Sequence, residues 1–107
     1  MTDFTKKVIT IIKKIPYGKV MTYGQIAKAA GSPGAARQVV RILHSMAEKY
    51  NLPWHRVINA KGEIAFRNEE MFLTQKSMLE SEGIEFISNK SVSLRLYLWD
   101  SEWEYIQ

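Results

Sequence analysis

The sequence predicts a mainly α domain with a small β component, built around a helix-turn-helix. Apolar residues recur at helical spacing through the first half, and capping and stop residues divide that half into three helices. After residue 53 the helical pattern gives way to a short extended stretch and a turn. A chain of 107 residues has room for one domain, which we expect to span residues 1–107.

The first three predicted helices have readable boundaries. Helix one places its apolar residues on one face and ends at Pro16. Helix two begins at Thr22, which forms a capping-box pattern with Gln25, and stops at Gly31. Ser32 and Pro33 fit an N-cap followed by the first helical residue, so helix three is predicted to start there and run to about Lys49.

The outer face of helix three is basic. Arg37, Arg41 and His44 recur at i, i+4 and i+7, beside Gln38 and Ser45, and no acidic residue interrupts this face before Glu48. A basic face next to a tight turn is typical of a helix-turn-helix that contacts a polyanion. An exposed helix that carries arginine for solubility alone has the same pattern, and the spacing does not separate the two.

The second half is predicted to mix short strands with one helix. Residues 53–58 are expected to be extended, and residues 64–66 to pair back on them as a hairpin across the turn at 60–63. Asn68 is a candidate N-cap for a fourth helix that ends at Gly83. Alternating apolar residues from Val92 to Leu98 predict a strand or extended segment. The aromatic residues Trp99, Trp103 and Tyr105 are expected to pack on the core.

Charge and composition narrow the function classes. Residues 1–67 carry twelve Lys and Arg against three acidic residues, whereas residues 68–107 carry three against eight. The basic first part favours a nucleic-acid partner, although a solvated basic surface fits as well. The chain has no cysteine, which excludes disulfides, thiolate metal sites and a cysteine nucleophile. His44 and His55 lack metal-ligand spacing and no Gly-rich phosphate loop occurs, so we expect neither a metal nor a cofactor.

No segment reaches the roughly 20 apolar residues of a membrane span, so we expect no membrane partner. We expect a monomer in the cytoplasm, associated with the nucleoid if the source is bacterial. Trp54 lies between Pro53 and two basic residues. From residue type alone, a core anchor is one of the roles open to it.

One segment resembles a known active site. Residues 53–57, Pro-Trp-His-Arg-Val, resemble the Pro-Cys-His-Arg-Val motif of the O6-alkylguanine-DNA alkyltransferases, with tryptophan in place of the reactive cysteine. The resemblance extends in order through residues 15–20, 22–27, 35–39, 56–59 and 82–84. The tryptophan at this position and the tail at residues 96–99 resemble the corresponding residues of the alkyltransferase-like proteins. The resemblance implies a winged helix-turn-helix-like DNA-binding domain, as in the alkyltransferase C-terminal domain.

The resemblance also implies roles in DNA binding. Tyr23 matches the tyrosine that pushes on a phosphate and helps to rotate the target nucleotide out of the duplex. Arg37 matches the arginine that fills the gap left by the flipped base. Docking through the minor groove is implied. We assign Gln38, Arg41 and Ser45 to backbone contact, by position and charge.

A lesion pocket is implied at the motif itself. Trp54 becomes a pocket wall, since an indole is no nucleophile comparable to a thiol. Arg67 matches the arginine that lies across the alkylated base through a cation–π contact, and Tyr23 and His55 border the same pocket. His55 and Glu82 match the residues that activate the thiol in the enzymes. Without a thiol, we expect them to form a structural relay only.

These implications favour a non-enzymatic DNA-damage recognition protein. It would bind double-stranded DNA containing O6-alkylguanine, flip the damaged nucleotide into a pocket and mark it for nucleotide excision repair proteins. A winged-helix transcriptional regulator is one alternative. Residual alkyltransferase or glycosylase activity is another, although the missing cysteine argues against transfer.

Overall fold

Three helices from the first half pack against one another, and a two-stranded parallel sheet joins them to the second half. The computed structural model describes residues 1–99. The elements in chain order are α1 (Asp3–Lys14), β1 (Met21–Thr22), α2 (Tyr23–Ala29), α3 (Ala36–Met46), a 3-10 turn (Trp54–Arg56), β2 (Val57–Ile58), α4 (Glu69–Ser81) and α5 (Leu94–Tyr97). The predicted mainly α fold with a small β component is confirmed.

The main core lies between α1, α2 and α3. Each of these helices turns a stripe of apolar residues inward, at the spacing that its sequence predicts. Val8, Ile12, Ile26 and Val39 are completely inaccessible to solvent. A second, smaller cluster joins β2 to α4 and the tail; it consists of Val20, Ile58, Leu79, Ile84 and Val92.

The start of α2 agrees with its prediction. Thr22 Oγ1 accepts from the Gln25 backbone N–H at 3.0 Å, and Gln25 Oε1 accepts from the Thr22 N–H at 3.2 Å. This capping box satisfies two backbone donors at once. Gly31, at φ +95°, ends the helix in the left-handed conformation that glycine adopts without strain.

The predicted boundaries of α3 are wrong at both ends. Ser32 and Pro33 belong to a turn in which the Ala35 N–H donates to the Ser32 carbonyl at 2.9 Å, and α3 begins only at Ala36. The Ser32 N–H meanwhile donates back to Ala27 and finishes α2, so Ser32 serves the preceding helix. At the other end α3 stops at Met46 rather than near Lys49, and turns follow up to Asn51 at φ +51°.

The predicted hairpin is also wrong. Residues 53–58 begin as the 3-10 turn and become a strand only at β2, which pairs in parallel with β1. Val57 and Ile58 are both buried, and a segment covered on both faces is typical of parallel pairing. Residues 63–64 pair instead with the later chain, since the Ile64 N–H donates to the Lys90 carbonyl at 2.9 Å.

The fourth helix is confirmed, and the tail is not the predicted strand. Asn68 Oδ1 accepts from the Met71 N–H at 3.0 Å, which caps α4 as expected. Residues 94–97 form the short helix α5, capped by Ser93, so Leu96 is more than half exposed and the apolar alternation faces no continuous core. Trp99 packs against the main core, whereas Trp103 and Tyr105 lie outside the described residues. Within residues 1–99 no helix is long and apolar enough to cross a membrane.

Candidate nucleic-acid interface

The outward face of α3 is exposed and free of acidic side chains. Val39, Ile42 and Leu43 turn into the core, which leaves the opposite face to solvent. Its exposed residues, called the basic face below, are Arg37, Gln38, Arg41, His44 and Ser45. The Ser45 hydroxyl donates to the Arg41 carbonyl at 3.0 Å and so is already engaged within its own helix. The arginines and Gln38 are therefore the groups best placed to contact a nucleic-acid backbone.

Tyr23 is the first residue of α2, directly after the Thr22 cap. Its side chain is partly buried against the main core, and this burial raises the pKa of the phenol above its ordinary value. A protonated hydroxyl on a ring braced from behind can push on a phosphate and hydrogen-bond to it. Its predicted role in rotating a nucleotide remains a prediction.

A cleft of about 800 Å³ opens between the end of α3 and the second half of the chain. Its lining residues, called the cleft below, are Leu43, His44, Ala47, Glu48, Asn51, Leu52, Pro53, Trp54, His55, Phe66, Met71 and Met78. Trp54 and His55, two of the residues predicted for a lesion pocket, line this cleft. Tyr23 and Arg67 do not line it; Arg67 is exposed beside Phe66. The volume is in the range of small-molecule sites.

An aromatic wall forms one side of the cleft. The rings of Trp54 and Phe66 meet edge to face, with centroids 5.7 Å apart at 90°. His44, from the basic face, stacks on Phe66 at 5.9 Å and 20°. These contacts link the helix surface to the pocket through three rings. Sequence reasoning missed Phe66, and its position next to Arg67 was the only signal.

A buried glutamine supports the turn that carries Trp54. Gln75 is 1% exposed, and its Nε2 donates to the carbonyls of His55 and Val57 at 3.0 Å each. The two bonds tie the backbone on both sides of Arg56 to α4 and so fix the direction of the neighbouring indole. The sequence pattern places Gln75 on the apolar face of α4. It does not predict the two carbonyl groups that Gln75 binds, which lie 18 and 20 residues away in the chain.

His55 and Glu82 are brought together, as the resemblance implies. His55 Nε2 lies 2.6 Å from Glu82 Oε2, and the same carboxylate accepts from Arg56 Nη2 at 2.8 Å and from the Gly18 N–H at 2.9 Å. Burial alone would raise the pKa of Glu82, but the bonds from Arg56, Gly18 and His55 outweigh it and lower the pKa to about 2. An ionised carboxylate only accepts, so Nε2 of His55 carries the proton.

The same group fastens three parts of the chain. Arg56 Nη1 also donates to the Ile15 carbonyl at 2.9 Å, so α4, the 3-10 turn and the end of α1 meet at one partly buried ion pair. Among residues 1–99, no group of three or more His, Cys, Asp or Glu side chains is arranged to hold a metal ion.

Comparisons with known proteins agree with this geometry. Residues 3–84 match the family model described as the DNA-binding domain of 6-O-methylguanine DNA methyltransferase. A Vibrio parahaemolyticus protein named DNA base-flipping protein is 44% identical over 99 residues, covering 92% of this chain and 98% of that protein.

Two solved structures of related proteins also superpose on this chain. The crystal structure of Schizosaccharomyces pombe Atl1 in complex with damaged DNA containing O6-carboxymethylguanine superposes with a TM-score of 0.84 at 39% identity, covering 94% of this chain and 98% of that one. O6-methylguanine methyltransferase of Mycobacterium tuberculosis superposes at 0.60 with 33% identity, covering 77% and 49%.

Proposed function

Since this chain belongs to the family of the 6-O-methylguanine DNA methyltransferase DNA-binding domain, and within it to the alkyltransferase-like proteins, we propose that it recognises O6-alkylguanine in duplex DNA by flipping the nucleotide and holding it without chemistry. The similarity covers 98% of the Vibrio parahaemolyticus relative and 96% of Schizosaccharomyces pombe alkyltransferase-like protein 1. It has no cysteine and therefore lacks the nucleophile of the methyltransferases.

One observation carries the proposal: Trp54 lies in the wall of the cleft, at the position of the reactive cysteine in the motif that it resembles. An indole has no lone pair that competes with a thiolate as an alkyl acceptor. It offers instead a flat apolar surface, braced edge to face by Phe66, against which a purine can lie. Binding is thus retained where transfer is lost.

The binding steps follow from the placement of charge and rings. The basic face docks on the phosphates through Arg41 and Gln38, which are exposed. Tyr23, braced at the start of α2, pushes the nucleotide out of the stack, and Arg37 enters the duplex in its place. Arg67 is exposed next to Phe66, so its long side chain is free to close over the base that has entered the cleft.

Binding of a lesion leads to its repair only if another protein acts on the bound site. Because the chain cannot remove the alkyl group through a thiol, we propose that the complex marks the site for nucleotide excision repair proteins. We also propose that the protein acts as a cytoplasmic monomer, since one basic face and one cleft suffice for one lesion.

A binding panel tests this function. Three labelled duplexes are compared at one salt concentration: one containing O6-methylguanine, the same sequence undamaged, and a palindromic operator-like sequence. We expect the alkylated duplex to bind most tightly and the two undamaged duplexes to bind equally. Preference for the palindrome would instead favour a transcriptional regulator, and equal binding of all three would contradict lesion recognition.

A further inference from the structure

His44 belongs to both surfaces of the candidate site. It stands on the basic face, three residues after Arg41, and it also lines the cleft. Among residues 1–99 it is the one residue that the basic face and the cleft share. A nucleotide whose backbone lies on the basic face and whose base enters the cleft therefore passes beside this imidazole.

The contact with Phe66 fixes the plane of the imidazole. The two rings stack with their centroids 5.9 Å apart and their planes at 20° to each other. Because the stack uses the face of the imidazole, its two nitrogens lie at the edge of the ring and outside the stack. In the described part of the chain neither nitrogen has a hydrogen-bond or ion-pair partner, and His44 is exposed. Both nitrogens are thus available to a ligand.

We propose that His44 binds the phosphate of the flipped nucleotide, and that its protonated form is the form that binds tightly. The inference rests on the proposed function, because only a nucleotide that has left the duplex reaches from the basic face into the cleft. A neutral imidazole has one N–H donor, whereas a protonated one has two donors and a positive charge. A phosphodiester offers only acceptors and a negative charge, so the protonated ring is its better partner.

Charges of both signs surround His44. Arg41 precedes it by one turn of α3, Glu48 follows it by four residues, and Arg67 adjoins the phenyl ring on which it stacks. These three side chains are exposed, so salt screens their opposed effects, and the two methionines of α4 that line the cleft carry no charge. Within residues 1–99 no carboxylate lies at ion-pair distance from the ring. A phosphate that accepts a hydrogen bond from the imidazole is therefore the nearest anion to it.

Histidine is the side chain whose charge ordinarily changes between pH 5 and pH 8, and the chain has only two histidines and no cysteine. The other one, His55, also lines the cleft, but it is buried and bonded to Glu82, whose pKa of about 2 keeps it ionised throughout this range. Because the phosphate binds the protonated form of His44, the complex takes up a proton, and affinity rises as the pH falls.

The test compares binding at pH 8 and pH 6 at one salt concentration. A duplex containing O6-methylguanine and the same sequence undamaged are titrated with the protein. We expect the alkylated duplex to bind about fivefold more tightly at pH 6 than at pH 8, the scale of an exposed ion pair, and the undamaged duplex to change by less than about twofold. His44→Gln should abolish the pH dependence. His44→Lys should bind the alkylated duplex equally at both pH values and more tightly than His44→Gln. Lys61→Gln, which removes an exposed charge outside both surfaces, should keep the ratio of the parent.

Three outcomes overturn the inference. The first is equal binding of the alkylated duplex by the parent at both pH values. The second is a pH dependence that His44→Gln retains, which would assign it to another group or to the duplex itself. The third is an equal pH effect on the undamaged duplex, which would place His44 on the duplex backbone and not on the flipped nucleotide. If the alkylated duplex binds no better than the undamaged one at either pH, it is the proposed function that fails, so the two failures are distinguishable.

Discussion

His55 Nε2 donates to the Glu82 carboxylate across 2.6 Å, next to an indole and with no thiol in the chain to activate. Glu82 also accepts from Arg56 and Gly18, so one carboxylate fastens the turn that carries Trp54 to α4 and to the end of α1. We therefore expect the His55–Glu82 pair to act as a structural link that holds the wall of the cleft.

This link predicts a specific pH dependence of stability. The pKa of Glu82 is about 2 in the folded protein against an ordinary 4.5, so its ionised form stabilises the fold above pH 4.5. That contribution is lost as the pH falls from about 4.5 towards 2. Urea unfolding at pH 7 and pH 3 should therefore show a smaller difference for Glu82→Gln than for the parent. Exposed Glu80→Gln is the control, and the same pH dependence in all three would contradict the link.

The basic face and the lesion pocket should respond differently to mutation. Arg37→Ala should weaken binding to both undamaged and alkylated duplexes, since the role proposed for Arg37 is in the duplex and not at the alkyl group. Arg67→Ala should weaken mainly the alkylated duplex, by about 1 kcal/mol, the scale of a partly desolvated cation–π contact. Titrations of both duplexes with both variants check this. Equal losses on the two duplexes for Arg67→Ala would remove Arg67 from the pocket.

Tyr23 should control nucleotide flipping. A fluorescent base analogue at the target position brightens when it leaves the stack, so protein binding should raise its emission. Tyr23→Ala should reduce this signal more than Tyr23→Phe, because the braced ring contributes bulk as well as a hydroxyl. Signals from both variants equal to that of the parent would contradict the rotation role.

Restoring the thiol should not restore an efficient enzyme. Trp54→Cys places a nucleophile beside the His55–Glu82 pair, yet it leaves a void of side-chain size where the indole packs on Phe66. We expect the alkyl group then to lie too far from sulfur for in-line attack, and therefore weak methyl transfer or none. Mass spectrometry of the variant after incubation with O6-methylguanine DNA measures this. Fast, stoichiometric uptake would show that the void does not misplace the substrate.

The sequence-based predictions succeed where the interactions are local. The capping box of Thr22 and Gln25 and the cap at Asn68 lie within four residues of their partners, so pattern alone predicts them. The residue type of Ser32 is compatible with either a helix start or a turn. In the structure its backbone N–H donates to the Ala27 carbonyl, and Ser32 therefore belongs to the turn that follows α2. The partner of β2 lies 36 residues upstream, which no periodicity indicates.

The candidate site shows the same difference between what residue order predicts and what only the folded chain brings together. Resemblance to two motifs, at residues 53–57 and 82–84, points to Trp54, His55 and Glu82, because their residue types stand in a recognisable order. Phe66 contacts Trp54, and Gln75 binds the carbonyls of His55 and Val57, only in the folded chain. Their roles depend on distances that the order of residues does not contain.

The most direct test is the fate of the methyl group itself. The unmutated protein is incubated for a long period with duplex DNA containing O6-methylguanine. The masses of the protein and of the DNA are then measured by mass spectrometry. We expect reversible binding, an unmodified protein mass and full recovery of the lesion, because the cleft presents Trp54 where a nucleophile would be needed. A protein heavier by one methyl group, with guanine restored in the DNA, would contradict non-enzymatic recognition.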